Sequence, residues 1–592
     1  MSLLLSGWPE NSESRQRMLQ SSSSANFPTA YSYQKVTKLQ LGLNLLQRCK
    51  TALVFLITPI VFSPLVISNE KEWRCAFCVS VMAVYWMTEV LPLAVTAMLP
   101  VVLFPLTGVM TCHEVAQQFI NDTNFLFIGG LIMAAAVEKC NLHERVALSV
   151  LKMVGSEPKW IMLGFMIVTA LLSMFISNTA TTAMMVPIGQ SVVDQLITSY
   201  NSHAQNRLFF TLMIIDLCTQ LDSGHKCSTA DRLFRVRNAG AYKRLSTALV
   251  LCVCVAANIG GTGMLTGTPS NLVMVGQLPE LFGDVETSLN YMTWFLFAFP
   301  LMCFCLAGAW CILTIFFLRG APGKDAHVTE IMQKRYDDLP RISYAEKSVM
   351  FCFIVLLSLW MFRKPGFFKG FGELLPKESY TDSTSAMLVA VFLFILPSER
   401  PVLLNYRARE EMSKESHLMD WSTMQKNFPW NVVFLLGGGF ALASGVKESG
   451  LSVMVGRTLA TFNELPSWVM QVLTMVIVMA TTNICSNTVT ATIFVPIVAT
   501  MATEMERHPF TLMLPTTLAC SFAFVLPVGT PPNAIVFGSG MVKVSDMVIV
   551  GIVVSVMCLT LTVLYMNTVA HVFLPLSEFP TWAQPSNSSM MV

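Results

Sequence analysis

Charge is what this sequence has least of. Of its 592 residues 36 are acidic and 38 basic, so 12% are charged, where a soluble chain carries about a quarter. No stretch interleaves basic and aromatic residues, which excludes nucleic acid as a partner. The 16 cysteines are scattered, several inside apolar runs, as Cys252, Cys254 and Cys303 are. They form neither a disulfide framework nor a zinc spacing. His225-Lys226-Cys227 reads as solvated loop rather than a metal site. The eight histidines stand outside the polar motifs described below. With no nucleophile–base arrangement in view, an enzyme is the remotest class. Apolar–polar alternation is missing too, which argues against a β-barrel. The first 50 residues lack the short charged region and apolar core of a cleaved signal.

What fills the chain is apolar sequence, 54% of it. It comes in blocks near the ~20 residues a membrane helix needs. Examples are 51–68, 91–109, 159–176, 294–318 and 548–569. Some blocks are short and some long enough for a helical hairpin, giving roughly ten to fourteen membrane elements and an all-α polytopic protein. Lys35, Lys38, Arg48 and Lys50 precede the first block and place the N-terminal end in the cytoplasm. Asn587-Ser588-Ser589 is a glycosylation acceptor, which places the other end outside and makes the number of crossings odd.

Two motifs occur twice. SNTATTAMMVPI begins at Ser177 and SNTVTATIFVPI at Ser486. TGTPSN carries Gly267, Thr268, Pro269, Ser270 and Asn271, and VGTPPN carries Gly529, Thr530, Pro531, Pro532 and Asn533. The order is the same each time, so the chain is a duplication. It divides into a cytoplasmic tail (1–50), a first repeat with a re-entrant hairpin (51–198), a cytoplasmic loop insertion (199–245) and a broken helix completing that repeat (246–320). Connecting loops and the start of the second repeat follow (321–428), then its hairpin and broken helix (429–575), then an extracellular tail (576–592).

Each motif interrupts an apolar block with small polar residues, glycine and proline. Irregular backbone at membrane depth is tolerated only where protein or an aqueous cavity satisfies it. Packing of helices through small residues explains one such motif; four in repeated order point to a transporter's binding site. No acidic or basic side chain occurs in 161–193, 246–279, 465–503 or 512–542. The site therefore offers hydroxyls, carboxamides, backbone groups and helix ends. Helix N-termini suit carboxylate oxygens; carbonyl and side-chain oxygens suit sodium. A multivalent anion in such a site needs counter-charge, which bound sodium supplies, so the two ligands are linked. Ser173 precedes Asn178 by the interval at which Thr482 precedes Asn487. We assign one sodium to Ser173, Ser177, Asn178 and the Gly267 backbone. The other falls to Thr482, Asn487 and the Gly529 and Pro531 backbones. Asn178, Thr179, Thr268, Asn487, Thr488 and Thr530 face the anion. Proton coupling commonly needs an intramembrane acid or histidine. The nearest acids, Glu89 and Glu138, read as helix ends, so sodium is the better coupling ion.

The segments YWMTEVLPLAVTAMLPVVLFPL, DTNFLFIGGLIMAAAVEKCNLHERVAL, LLSMFISNTATTAMMVPI, FPWNVVFLLGGGFALASGVKESGLSVMVG, SFAFVLPVGTPPNAIVFGSG and FPTWA resemble the vertebrate sodium-coupled di- and tricarboxylate cotransporters of the divalent anion/sodium symporter family. The resemblance covers 51–583 apart from the 199–243 loop. It implies about eleven spans, two inverted repeats with Ser-Asn-Thr at the tips of re-entrant hairpins, a scaffold and a transport domain, a homodimer in the plasma-membrane lipid, and elevator-type movement. It also implies import of succinate-like dicarboxylates, with citrate next, together with co-transported sodium. Sulfate transport is the alternative within the family and an anion channel the alternative outside it. Members usually carry glutamate where Asn483 stands and aspartate where Lys364 stands.

Overall fold

The computed structural model describes residues 38–153, 157–193, 228–283, 287–319, 333–334, 336–365, 368–376, 379–400, 416–451, 454, 465–527 and 529–583. The regular elements among them are helices; the one β feature is an isolated bridge between Pro397 and His417. The chain divides into two compact units, Met1–Ile57 and Thr58–Val592. In the first, the described part is the beginning of the helix Lys38–Val66. The tail expected over 1–50 thus turns helical at Lys38, before the apolar block begins. The sequon at Asn587 lies outside the described residues.

Among the described residues six helices are long and apolar enough to cross a membrane, including Tyr291–Phe317, Tyr344–Arg363, Trp430–Glu448 and Val544–Thr568. Three of the four helices that lead into the motifs are shorter: Pro158–Ser173 and Ser467–Thr482 have 16 residues each and Phe510–Cys520 has 11, while Ser228–Gly260 has 33. Sixteen residues at ~1.5 Å each span about 24 Å, less than the ~30 Å hydrocarbon layer. Their lengths agree with helices that stop inside the layer.

Both repeats are built alike. In the first, Pro158–Ser173 ends, four residues turn, and a second helix runs 178–193. Ser177 caps that second helix, accepting the Ala180 N–H at 3.2 Å. In the second, Ser467–Thr482 is followed by an equal turn and by Asn487–Glu504, with Ser486 at the cap position. We call these the first and second hairpins. The first broken helix is Ser228–Gly260 continued by Pro269–Phe282; the second is Phe510–Cys520 continued by Pro531–Gly538. Of the insertion expected as a loop over 199–245, the part from Ser228 is helix, and 199–227 lies outside the described residues. Its basic, polar composition (SerThrAlaAspArg onward) was read as loop, yet it is rich in helix formers.

The restart of each broken helix follows from its Thr-Pro dipeptide. A residue before proline is pushed to extended backbone, and proline suits the first helical position. Thr268 has φ −142°, ψ 143° and Thr530 has φ −143°, ψ 151°, each capping a helix that opens on proline. The buried core runs through both repeats, with Phe165, Trp294, Phe297, Phe440, Phe510, Phe522 and Phe524 almost fully enclosed. A smaller cluster joins Lys71–Thr88 to Phe104, Val115 and Leu442. Polar ties hold the ends of helices. Arg145 pairs with Glu346 at 2.7 Å and Lys139 with Asp420 at 2.7 Å. The Lys139 ammonium, helped by Ser422 and Thr423, holds the Asp420 carboxyl well below its usual range.

Candidate functional site

All four motifs meet in one cavity of about 1470 Å³. Ser177, Asn178 and Thr179 line it from the first hairpin and Ser486, Asn487 and Thr488 from the second. Gly267 and Thr268 line it from the first broken helix, and Gly529, Thr530 and Pro531 from the second. The cavity exceeds the ~300–1,000 Å³ of ordinary small-molecule sites. Much of its remaining wall is apolar, including Phe127, Leu131, Phe175, Phe353 and Trp360. Glu89, Glu138 and His143 also line it. Glu89 caps the end of Lys71–Thr88 and Glu138 lies in the last turn of Asp122–Lys139, both exposed, as helix-end residues should be.

Ser173 and Thr482 stand behind the cavity wall, both fully buried. The Ser173 hydroxyl lies 2.6 Å from Asn178 Oδ1 and 2.8 Å from the Ala257 carbonyl oxygen. The Thr482 hydroxyl lies 2.8 Å from Asn487 Oδ1 and 2.6 Å from the Cys520 carbonyl oxygen. Each triad brings three oxygens together with a single hydroxyl proton, which satisfies one acceptor at a time. Each triad offers side-chain and carbonyl oxygens of the kind a sodium ion takes. The two triads are matched: one hydroxyl at the end of a hairpin helix, one asparagine at the start of the next, one carbonyl from the first limb of a broken helix. Ala257 and Cys520 take part through their backbone, so their side chains gave the sequence reading no sign of them. Gly267 and Gly529, assigned to the cations from sequence, line the cavity beside the triads.

The broken helices are held open by a residue the motifs display but whose role sequence alone did not reveal. Asn271 Nδ2 donates to the Gly261 and Met264 carbonyls at 3.2 and 2.9 Å. Asn533 Nδ2 donates to the Ala523 and Leu526 carbonyls at 2.8 and 3.0 Å. Both asparagines sit at the same interval after their glycine and staple carbonyls freed by the break. The first break is also close-packed. A Cβ on Gly267 would meet the Gly261 carbonyl oxygen at 2.5 Å, and one on Gly261 would meet Asn178 Oδ1 at 2.7 Å. Only glycine brings the hairpin tip this near the break. Asn258 joins the two repeats: its Nδ2 lies 3.4 Å from Ala523 O, Thr530 Oγ1 and Asn533 Oδ1.

The polar groups of the motifs are thus hydroxyls, carboxamides and backbone, with no formal charge. Thr268 and Thr530 stand at the N-termini of their helices and line the cavity, and a helix N-terminus suits anion oxygens. The triads supply oxygen for cations, and nothing in the motifs is a nucleophile.

Comparison with known proteins agrees with this geometry. A family model described as the sodium:sulfate symporter transmembrane region matches residues 44–574. The sodium-dependent high-affinity dicarboxylate transporter 3 of Caenorhabditis elegans is 61% identical over 590 residues, covering 100% of this chain and 99% of that protein. The sodium-dependent low-affinity dicarboxylate transporter 1 of the same nematode is 45% identical over 543 residues, covering 88% and 91%. The Na(+)/citrate cotransporter of Rattus norvegicus is 40% identical over 555 residues, covering 90% and 97%. The similarity reaches nematode and mammalian proteins alike.

Proposed function

The chain belongs to the sodium:sulfate symporter family, a family of multi-pass membrane transporters and not of enzymes, and on that premise we propose that it imports di- or tricarboxylates with sodium. The observation that carries this reading is the pair of oxygen triads at Ser173–Asn178–Ala257 and Thr482–Asn487–Cys520, set at the wall of a cavity lined by all four uncharged motifs. One sodium binds at each triad, with Ser177 and the Gly267 backbone near the first and the Gly529 and Pro531 backbones near the second. The cations offset the charge of a carboxylate held by Asn178, Thr179, Thr268, Asn487, Thr488 and Thr530. Taking two charges out of water together costs far less than taking the anion alone. Sodium and substrate therefore favour each other's binding.

The names of the relatives support carboxylate over sulfate and leave succinate-like dicarboxylates and citrate as the first substrates to try. The remaining parts of this reading are the plasma membrane as location, a cytoplasmic N-terminus, an extracellular C-terminus glycosylated at Asn587, and a homodimer in lipid. The two repeats are inverted relative to one another, and the transport domain moves as an elevator past a scaffold. The vertebrate cotransporters remain the functional comparison, with citrate carriage as their distinguishing trait.

The test is uptake of radiolabelled succinate, citrate and sulfate into expressing cells, with sodium or with choline. Sodium-dependent succinate uptake, competed by citrate and not by sulfate, is the expected result. Equal uptake in both media with normal surface protein would refute sodium coupling. Sulfate uptake untouched by carboxylates would move the protein to the sulfate branch.

A further inference from the structure

The two triads are matched, yet the residue after each hydroxyl differs: Met174 follows Ser173 and Asn483 follows Thr482. Asn483 is buried behind the cavity wall and is absent from its lining. Its Nδ2 donates to the Met479 carbonyl at 2.7 Å, which fixes the carboxamide at the end of the hairpin helix. Its Oδ1 accepts the Val525 N–H at 2.9 Å, in the unwound part of the second broken helix. That part then leads to Gly529 and Thr530. Gly529 packs on the same residue from the other side: a Cβ there would stand 3.0 Å from the Asn483 carbonyl oxygen and 3.3 Å from its Cα. A side chain at 529 would push the limb off Asn483.

The first repeat has no such tie. Gly263 occupies the place of Val525, at the same interval before the motif asparagine. Its N–H is satisfied within its own turn, donating to the Gly260 carbonyl at 3.0 Å. Met174 reaches it only by apolar contact, its Cγ lying 3.5 Å from where a Gly263 Cβ would be. The first break is tied instead to the helix Tyr291–Phe317, Trp294 Nε1 donating to the Thr262 carbonyl at 3.3 Å and Thr266 Oγ1 meeting Tyr291 Oη at 2.9 Å; the second alone takes a side-chain tie from its hairpin, through Asn483.

We propose that Asn483 is a positioning residue that couples the second cation to the anion. This rests on the two-sodium carboxylate reading above. A cation at the second triad draws in Thr482, Asn487 and the Cys520 carbonyl. Asn483 is the next residue after Thr482, and it holds the limb that ends in Thr530. Occupancy of the second triad thus sets the position of an anion-binding hydroxyl through one carboxamide. The first cation has no side chain in this role, so the two cations are linked to the substrate unequally. A neutral carboxamide does this by donating and accepting at once, without a change of protonation.

The test is the dependence of the succinate KM on sodium, as a log–log slope in the limiting range. With two linked cations the slope approaches about −2, and loss of one linkage brings it toward about −1. Asn483→Leu keeps the shape and removes both polar atoms; its slope should fall by about one while uptake at saturating sodium persists. Asn483→Gln keeps both the donor and the acceptor of the carboxamide and should retain the wild-type slope. Met174→Leu, the matched change in the first repeat, should also retain it. If Asn483→Leu does not reach the surface, Asn483→Ser is measured instead, since its hydroxyl is too short to span Met479 and Val525. A wild-type slope in the polar-deleted variant overturns the proposal. So does an equal fall in Met174→Leu, or a failure of Asn483→Gln to keep the slope. A wild type whose KM ignores sodium overturns the underlying transport reading, a result distinct from any of these.

Discussion

Replacing Thr482 with valine removes one oxygen and almost nothing else. The side chain is fully buried and is not itself part of the cavity lining. What is lost is the Oγ1 that lies 2.8 Å from Asn487 Oδ1 and 2.6 Å from the Cys520 carbonyl oxygen. A polar contact to a charged partner contributes about 1.5–3 kcal/mol. At ~1.4 kcal/mol per tenfold, the half-saturating sodium concentration should rise about ten- to hundredfold. Succinate affinity should weaken at limiting sodium through linkage and recover at high sodium, because the hydroxyl does not touch the anion. Ser173→Ala, which removes the matched oxygen from the first triad, should behave in the same way. The assay is a succinate saturation curve at several sodium concentrations, with surface protein quantified. A succinate affinity that stays low at saturating sodium would show that Thr482 serves the anion. An unchanged sodium dependence would show that the triad holds no cation.

Thr179→Val and Thr488→Val remove hydroxyls that line the cavity, so their succinate KM should rise and high sodium should not fully restore it; full rescue would reverse the roles given to the two layers. Asn178→Ala and Asn487→Ala remove an oxygen from a triad and an N–H from the cavity at once, and each should abolish most transport at near-normal surface levels, whereas normal uptake would reduce that asparagine to packing. Asn533→Ala removes the shorter of two donors at each of the Ala523 and Leu526 carbonyls, leaving them Asn258 Nδ2 at 3.4 Å and the Gly529 N–H at 3.2 Å, a loss of about 0.5–1.5 kcal/mol per hydrogen bond. The detergent-solubilised protein should then melt lower than wild type, and an unchanged melting temperature would dismiss the staple. Epitopes at the two ends should be reached by antibody in intact cells only at the C-terminus; labelling of both or neither, with permeabilised controls positive, would refute an odd number of crossings.

The parts of the site that were legible in the sequence are those that side chains announce twice. Ser-Asn-Thr and Gly-Thr-Pro recur in order, and the Thr-Pro dipeptide alone dictates an extended residue followed by a helix start. The absence of charge across four segments was visible as well, and the structure gathers those segments around one space. The staples Asn271 and Asn533 carried a readable signal in their equal distance from Gly267 and Gly529, but nothing in a lone asparagine tells whether it faces a ligand or its own backbone. Ala257 and Cys520 were beyond reach, because a carbonyl oxygen is the same in every residue. Asn258 was hidden for the opposite reason, since Cys520 stands at its matched position; Asn483 was visible only as a departure, with Met174 at its matched position and glutamate usual in the members it resembles. Ser228 and the residues after it misled by composition, since charged helix formers look like a loop when the eye is set for apolar blocks.

Purified protein in liposomes, given an inward sodium gradient and radiolabelled succinate, tests the central claim most directly. Succinate should accumulate inside above its outside concentration, should do so only while the gradient lasts, and should leak back when an ionophore collapses it. Succinate that merely equilibrates, at the same rate with sodium or choline outside, would contradict the account.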